Sequence, residues 1–363
     1  MTGPTPKLYA GETLDTVSGF PTLYNFFPAD ASKPIVVFIP GAGHNARIAY
    51  GGHEGSSQKD FLAYWINGHG YGFLAVSYPL ENTPAIMPAI APQFRIRDWG
   101  KQAAEVTHHI IKQHNLSSRV VLLCWSMAGR IVVPYSIAAK SVGLHVDLFV
   151  SLAASPGMHG TRPPPPGITC SASGYAVYAR MIELFLIQIH EQENNLNHGR
   201  TIIPDEVFKR EYFGFTPVSL LGWNLGYDRA THGQKFSEDL FTSTKDAAVD
   251  QAENLPVIAA LTGHSVLDAR HLIMDQATWT FMLMQKFMRT IEISKGVHGL
   301  TQAQGTRLAK MAHSIPGRIS MTIPGNHYFF IGECGARETA QAIIDSLEMA
   351  ATLEHEFDTL LNS

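Results

Sequence analysis

Ser126 sits where an apolar run, Arg119 to Cys124, gives way to a helical pattern, in the stretch Cys124-Trp125-Ser126-Met127-Ala128-Gly129. A sharp turn from strand into helix lifts one side chain above the edge of a sheet. The residues two before and two after it must be small, because backbones crowd there. The usual pattern is G-x-S-x-G. Here Cys124 and Ala128 stand at the glycine positions and Gly129 follows. A serine held this way can attack a carbonyl once a neighbouring base takes its proton. The same stretch also suits a buried serine capping a helix, and taken alone it leaves both readings open. A second loop, Gly41-Ala42-Gly43-His44-Asn45-Ala46, fits the G-x-G-x-x-G/A dinucleotide pattern. That pattern wants an acid about twenty positions on, at the end of the next strand. Asp60 has the spacing but lies in a polar segment before that strand, which ends in Ser77-Tyr78-Pro79. A nucleotide-binding oxidoreductase is therefore the weaker reading of this loop.

These residues need a scaffold, and the apolar pattern supplies one. Pro34 to Ile39, Gly72 to Ser77, Arg119 to Cys124, Val146 to Leu152, Val257 to Leu261 and Arg318 to Ile323 are short, largely apolar runs, the first of them rich in β-branched residues. Such runs read as strands buried on both faces of a parallel sheet. Helical spacing lies between them, over Asp98 to His114 (with Asp98 as N-cap), Met127 to Val142, a long stretch after Gly263, and about Glu333 to Leu353. Strands alternating with helices predict an α/β protein with a mostly parallel, doubly wound sheet. The alternation breaks over residues 158–254. There a Pro-rich turn, Pro163 to Pro166, precedes a helical run, Tyr175 to Gln192, and aromatic-rich segments without a buried-strand signal. The expected organisation is a core of residues 1–157 and 255–363 interrupted by a mainly helical insertion at 158–254.

Composition narrows the function classes. A net charge of −4 offers no basic field for nucleic acid or an anionic membrane. Three widely spaced cysteines, Cys124, Cys170 and Cys334, favour neither a disulfide framework nor a structural zinc site. Among the metal and phosphate motifs, H-E-x-x-H, the EF-hand loop and the Gly-rich loop ending in Lys-Ser/Thr are all missing, so no metal and no cofactor is expected. No apolar run is long enough to span a bilayer, and the first residues do not read as a signal peptide. The expectation is a cytoplasmic protein acting on a small molecule, with its oligomeric state open.

The strand order, the Ser126-Met127-Ala128-Gly129 turn and the loop positions together resemble the α/β-hydrolase superfamily, on both sides of the insertion. The resemblance implies a catalytic histidine in the short loop after the last core strand, where His327 follows Pro324-Gly325-Asn326 and leads into Tyr328-Phe329-Phe330. It implies an oxyanion hole from the backbone N–H of Met127 and one from the loop after an earlier strand, matching Ala42, with Gly43 as a near alternative. It implies an acid after the strand Val257 to Leu261. Asp268 is the first carboxylate there, two residues later than the common spacing, and could equally cap the helix starting at Ala269.

The implied chemistry is hydrolysis of an ester-like bond in a small, largely apolar substrate through an acyl-enzyme, with Ser126 as nucleophile, His327 as base and Asp268 as its support. Gly43, His44, Trp125, Trp223 and Tyr227 are candidate pocket residues. An acyltransferase, thioesterase or carbon–carbon hydrolase would use the same groups. A non-catalytic ligand-binding protein on this fold is a further alternative.

Overall fold

The apolar runs become one sheet because most of them have no polar face to give to water. The computed structural model describes residues 7–158, 161–231, 235–296 and 299–362. The first six residues, part of the stretch that does not read as a signal peptide, lie outside the described residues. In chain order the sheet strands are β1 (Glu12–Val17), β2 (Phe20–Phe27), β3 (Ile35–Ile39), β4 (Phe73–Val76), β5 (Arg119–Trp125), β6 (His145–Leu152), β7 (Val257–Gly263) and β8 (Ser320–Ile323). Their spatial order is β1-β2-β4-β3-β5-β6-β7-β8. From β4 to β8 every pairing is parallel, while β1 and β2 are antiparallel additions at one edge.

The β1–β2 hairpin was not among the expected strands, since Glu12 to Val17 is mostly polar and has no buried residue. Its signal is the turn. Ser18 and Gly19 both take positive φ (54° and 83°), as a two-residue hairpin loop with the twist of its strands requires. β8 is shorter than expected because the preceding helix runs on to Ile319.

The main helices are α1 (Leu62–Gly68), α2 (Ile96–His114), α3 (Val132–Ser141), α4 (Ala179–Leu196), α5 (Leu240–Asp246), α6 (Ala269–Lys295), α7 (Gln302–Ile319) and α8 (Glu333–Asn362). α2 packs on α3, and α1 packs on α8. α2 begins two residues before the expected cap. Arg95 is its N-cap residue, and Asp98, at the third helical position, reaches back to accept the Arg95 N–H at 3.2 Å. A carboxylate one turn into a helix does this as readily as one at the cap.

Between β6 and β7 lie α4, α5 and two short antiparallel pairs, Thr169–Cys170 with Ala176–Val177 and Leu225–Tyr227 with Phe236–Glu238. Residues 212–216 of this segment are stitched to the loop after β3. The Asn45 N–H donates to the Tyr212 carbonyl (3.0 Å) and the Gly214 N–H to the Gly43 carbonyl (3.0 Å). Cys124, Cys170 and Cys334 are free thiols. Among the described residues, no helix is long and apolar enough to cross a membrane.

Candidate active site

β5 delivers Trp125 in extended conformation (φ −97°, ψ 135°), and the next residue, Ser126, takes φ 55°. A left-handed serine costs roughly 1–3 kcal/mol and persists only where its surroundings force it. Those surroundings are tight. A Cβ on Gly41 would fall 2.7 Å from Ser126 Cβ, and one on Gly129 would fall 2.7 Å from the Ser155 carbonyl oxygen. The crowding that glycine relieves at the second position of the usual motif is thus met one residue later, by Gly129, and Ala128 fits as it is. The chain then continues as a 3₁₀ turn, Ser126–Ile131, before α3 begins at Val132, in place of one uninterrupted helix from Met127. Pro134 lies in the first turn of α3, where its missing N–H loses nothing.

His327 is brought to the same place by a zipper between two loops. After β7 the N–H groups of His264 and Ser265 both donate to the Gly325 carbonyl (2.8 and 3.0 Å), and the Gly325 N–H donates to His264 Nδ1 (2.8 Å). A Cβ on Gly263 would strike the Gly325 and Asn326 carbonyls at 2.6 Å, so the approach demands glycine there. Trp125 Nε1 donates to the His327 carbonyl (2.9 Å), tying the His327 backbone to the strand that leads into Ser126.

Asp268 faces His327. Its Oδ2 lies 2.9 Å from His327 Nδ1, and both side chains are more than nine-tenths buried. Burial pushes the Asp268 carboxyl up, but the charge and hydrogen bond of His327, with His271 and Arg270 behind them, hold it below the usual carboxylate range. The ionised carboxylate only accepts, so Nδ1 carries the proton and Nε2 is left as the ring's acceptor. Asp268 occupies the N-cap position of α6 yet makes no side-chain cap bond.

Ser126, His327 and Asp268 line one cavity of about 420 Å³, together with Ala42 and Met127. That volume is in the range of small-molecule sites. The Ala42 N–H has no partner among the described residues, and Met127 lies in the first turn of its helix, where N–H groups lack intrahelical partners. The alternative donor is taken, because the Gly43 N–H donates to Thr216 Oγ1 (2.9 Å) and Tyr78 Oη (3.0 Å).

Of the remaining pocket candidates, Trp223 lines the cavity. Trp125, Gly43, His44 and Tyr227 are not among its walls. His44 is fully buried in a box of Trp125, Phe185, Phe208 and Tyr328, with Nδ1 2.7 Å from the Ala42 carbonyl and Nε2 2.8 Å from Tyr328 Oη. Desolvation depresses its pKa to about 3, so it is a neutral strut beneath the loop.

The nucleotide reading fails on the same loop. The Asn45 and Ala46 N–H groups are spent on Tyr212 and on Ser77 Oγ (2.9 Å), and Asp60 is buried in an ion pair with Arg200.

Sequence reasoning missed Arg130, Arg162, Arg270 and His271, all of which line the cavity. His271 is one turn beyond Asp268, the spacing that puts two residues on one helix face. Its Nδ1 meets both oxygens of Asp275 (3.0 and 3.1 Å). Among the described residues, Asp268, His271 and His327 form the one group whose ligating atoms, all within 4.8 Å of one another, could hold a metal ion. The Asp268–His327 hydrogen bond already engages the facing atoms of two of the three.

No protein-family model matches the chain, and no curated protein matches it in sequence. Solved structures do. The chain is similar to a thermophilic esterase from Thermogutta terrifontis, with a TM-score of 0.50 and 10% identity over 94% of this chain and 99% of that one. It is also similar to a hyperthermophilic esterase from Pyrobaculum calidifontis, with a TM-score of 0.45 and 13% identity over 93% and 83%. A likeness at such low identity speaks for the fold alone, and with the observed sheet it establishes that this chain has the α/β-hydrolase fold.

Proposed function

We propose that this protein is a serine hydrolase that cleaves an ester-like bond of a small, largely apolar substrate. The observation that carries the reading is the Asp268–His327 hydrogen bond, made in the same cavity that a strained Ser126 faces. Ser126 Oγ attacks the substrate carbonyl as His327 Nε2 takes its proton. Asp268 holds the imidazole in that tautomer and stabilises its charged form. The backbone N–H groups of Met127 and Ala42 receive the developing oxyanion. Collapse of the tetrahedral intermediate releases the alcohol, protonated by His327, and leaves an acyl group on Ser126. Water, deprotonated by His327, then frees the acid and restores the serine.

In this reading residues 1–157 and 255–363 are the catalytic core and 158–254 are a cap that walls the cavity through Tyr178, Met181, Phe185 and Trp223. The backbone stitches at residues 212–216 favour a fixed wall over a swinging flap. A thioester, a carbon–carbon bond or a non-water acceptor would use the same groups, and product analysis separates these. The test is a fluorophosphonate probe followed by peptide mass spectrometry. The expected adduct is on Ser126, and an adduct on another serine with Ser126 unmodified overturns the assignment.

A further inference from the structure

Arg130 is four residues beyond Ser126, at the end of the same 3₁₀ turn, and only 3% exposed. Its guanidinium lies against the backbone of Gly222, where a Cβ would fall 1.8 Å from Nη2 and where φ is +69°. The Arg162 N–H donates to the Gly222 carbonyl at 2.9 Å, which brings a second arginine alongside. Arg270, two residues after Asp268, is the third, and all three line the cavity that holds Ser126. The one carboxylate in that lining, Asp268, is already engaged by His327. Among the described residues no acid offsets Arg130 or Arg162. Desolvation lowers the Arg130 pKa to about 9, helped by repulsion from Arg270 and Arg162. A second donor points the same way. Trp223 Nε1, beside Gly222 and in the same lining, is buried without a hydrogen-bond partner.

A buried cation without a counter-ion is a standing cost to the free protein. It is removed when an anion enters, and a guanidinium fork fits the paired oxygens of a carboxylate or a phosphate. We propose that Arg130, Arg162 and Arg270 form an anion subsite in the cavity, so that the substrate is an ester with an apolar body and a carboxylate or phosphate group reaching this end. The ester part rests on the hydrolase reading above, whereas the subsite stands on the cavity itself.

Two measurements on the full-length protein separate the claims. In the first, melting temperatures of Ser126→Ala, which cannot turn over, are followed against succinate and against inorganic phosphate at constant ionic strength. Saturable stabilisation is expected, lost in Arg162→Met. The anion giving the larger shift identifies the group. In the second, kcat/KM is compared for the mono-p-nitrophenyl ester of succinate and for p-nitrophenyl butyrate. The wild type should favour the anionic ester, and Arg162→Met should lower that ratio roughly 30-fold, through KM, as expected for loss of a charge-assisted contact. Arg130→Met should melt higher than the wild type in the absence of anions and lose the anion-dependent shift. Butyrate cleaved as well as the succinate ester, with neither anion stabilising the protein, overturns the subsite and leaves the hydrolase reading intact. Anion stabilisation with neither ester cleaved does the reverse.

Discussion

Asp268 and Asp275 stand seven residues apart around the start of α6. Both are buried, and both meet a histidine through Nδ1. Their proton affinities move in opposite directions. Asp275 rises because burial outweighs its partner His271, whereas in Asp268 the same burial is overcome by His327, His271 and Arg270. The two histidines also differ in reach. His271 is on the same helix as its carboxylate, while His327 comes from the loop after β8 and is anchored to Trp125. Residue type and burial are therefore the same in both pairs. Surrounding charge and the origin of the partner are what differ, and under the proposed mechanism they single out Asp268.

The sharpest way to break this comparison is to neutralise each carboxylate in turn. Asp268→Asn keeps the volume and removes the charge. It should lower turnover of a p-nitrophenyl ester by ~10⁴, the loss seen in the best-studied triad, with only a small change in melting temperature. Asp275→Asn should lower turnover no more than a few-fold. Equal losses in the two variants would mean that the His271 pair shares the relay, and near-normal turnover in Asp268→Asn would leave Ser126 and His327 supported by another group.

Stability against pH comes next in size. The folded-state pKa of Asp268 is depressed, so its contribution is present above the ordinary carboxylate pKa and is lost as pH falls through the folded value. Asp275 is raised, so its contribution is complete below the ordinary value and is lost as pH rises through the folded one. At pH 7, Asp268→Asn should therefore melt below the wild type and Asp275→Asn at or above it. Both differences should shrink toward pH 3. Calorimetry across that range tests the signs, and two variants that shift the same way at pH 7 would remove the distinction.

The smallest effect concerns the wall. Trp223→Phe keeps most of the packing but alters the cavity lining, so it should reorder a series of acyl-chain lengths. Tyr227→Phe, whose side chain packs toward Gly174 and away from the cavity, should leave that order unchanged. A reordering in Tyr227→Phe alone would place the substrate elsewhere.

Much of the scaffold could be read in advance because fully buried strands announce themselves. β3, β5, β6 and β7 each have an unbroken apolar stretch. The β1–β2 hairpin escaped because β1 is largely polar and the buried β2 carries Pro21, Thr22 and Asn25 among its apolar residues, and only Ser18-Gly19 marked it. The positions of Ser126 and His327 were legible because one directly follows a buried strand and the other follows the last strand across a Pro-Gly-Asn turn. Asp268 was ambiguous for a physical reason. Whether a carboxylate at a helix start turns back to the backbone or outward to a histidine depends on the Gly263–Gly325 approach, a contact between distant residues. The arginines were illegible for a similar reason. Arg130, Arg162 and Arg270 are scattered over the chain, and an isolated arginine ordinarily marks a solvated surface.

The tie between Trp125 and His327 joins residues 202 positions apart. During synthesis β5 emerges long before β8 can add to the edge of β7. A ribosome-bound chain can thus carry Ser126 without the His327 that the proposed mechanism pairs with it. Under the proposed mechanism, activity should switch on late, once the loop bearing His327 has cleared the exit tunnel, so any prematurely terminated product that ends before β8 should be inactive.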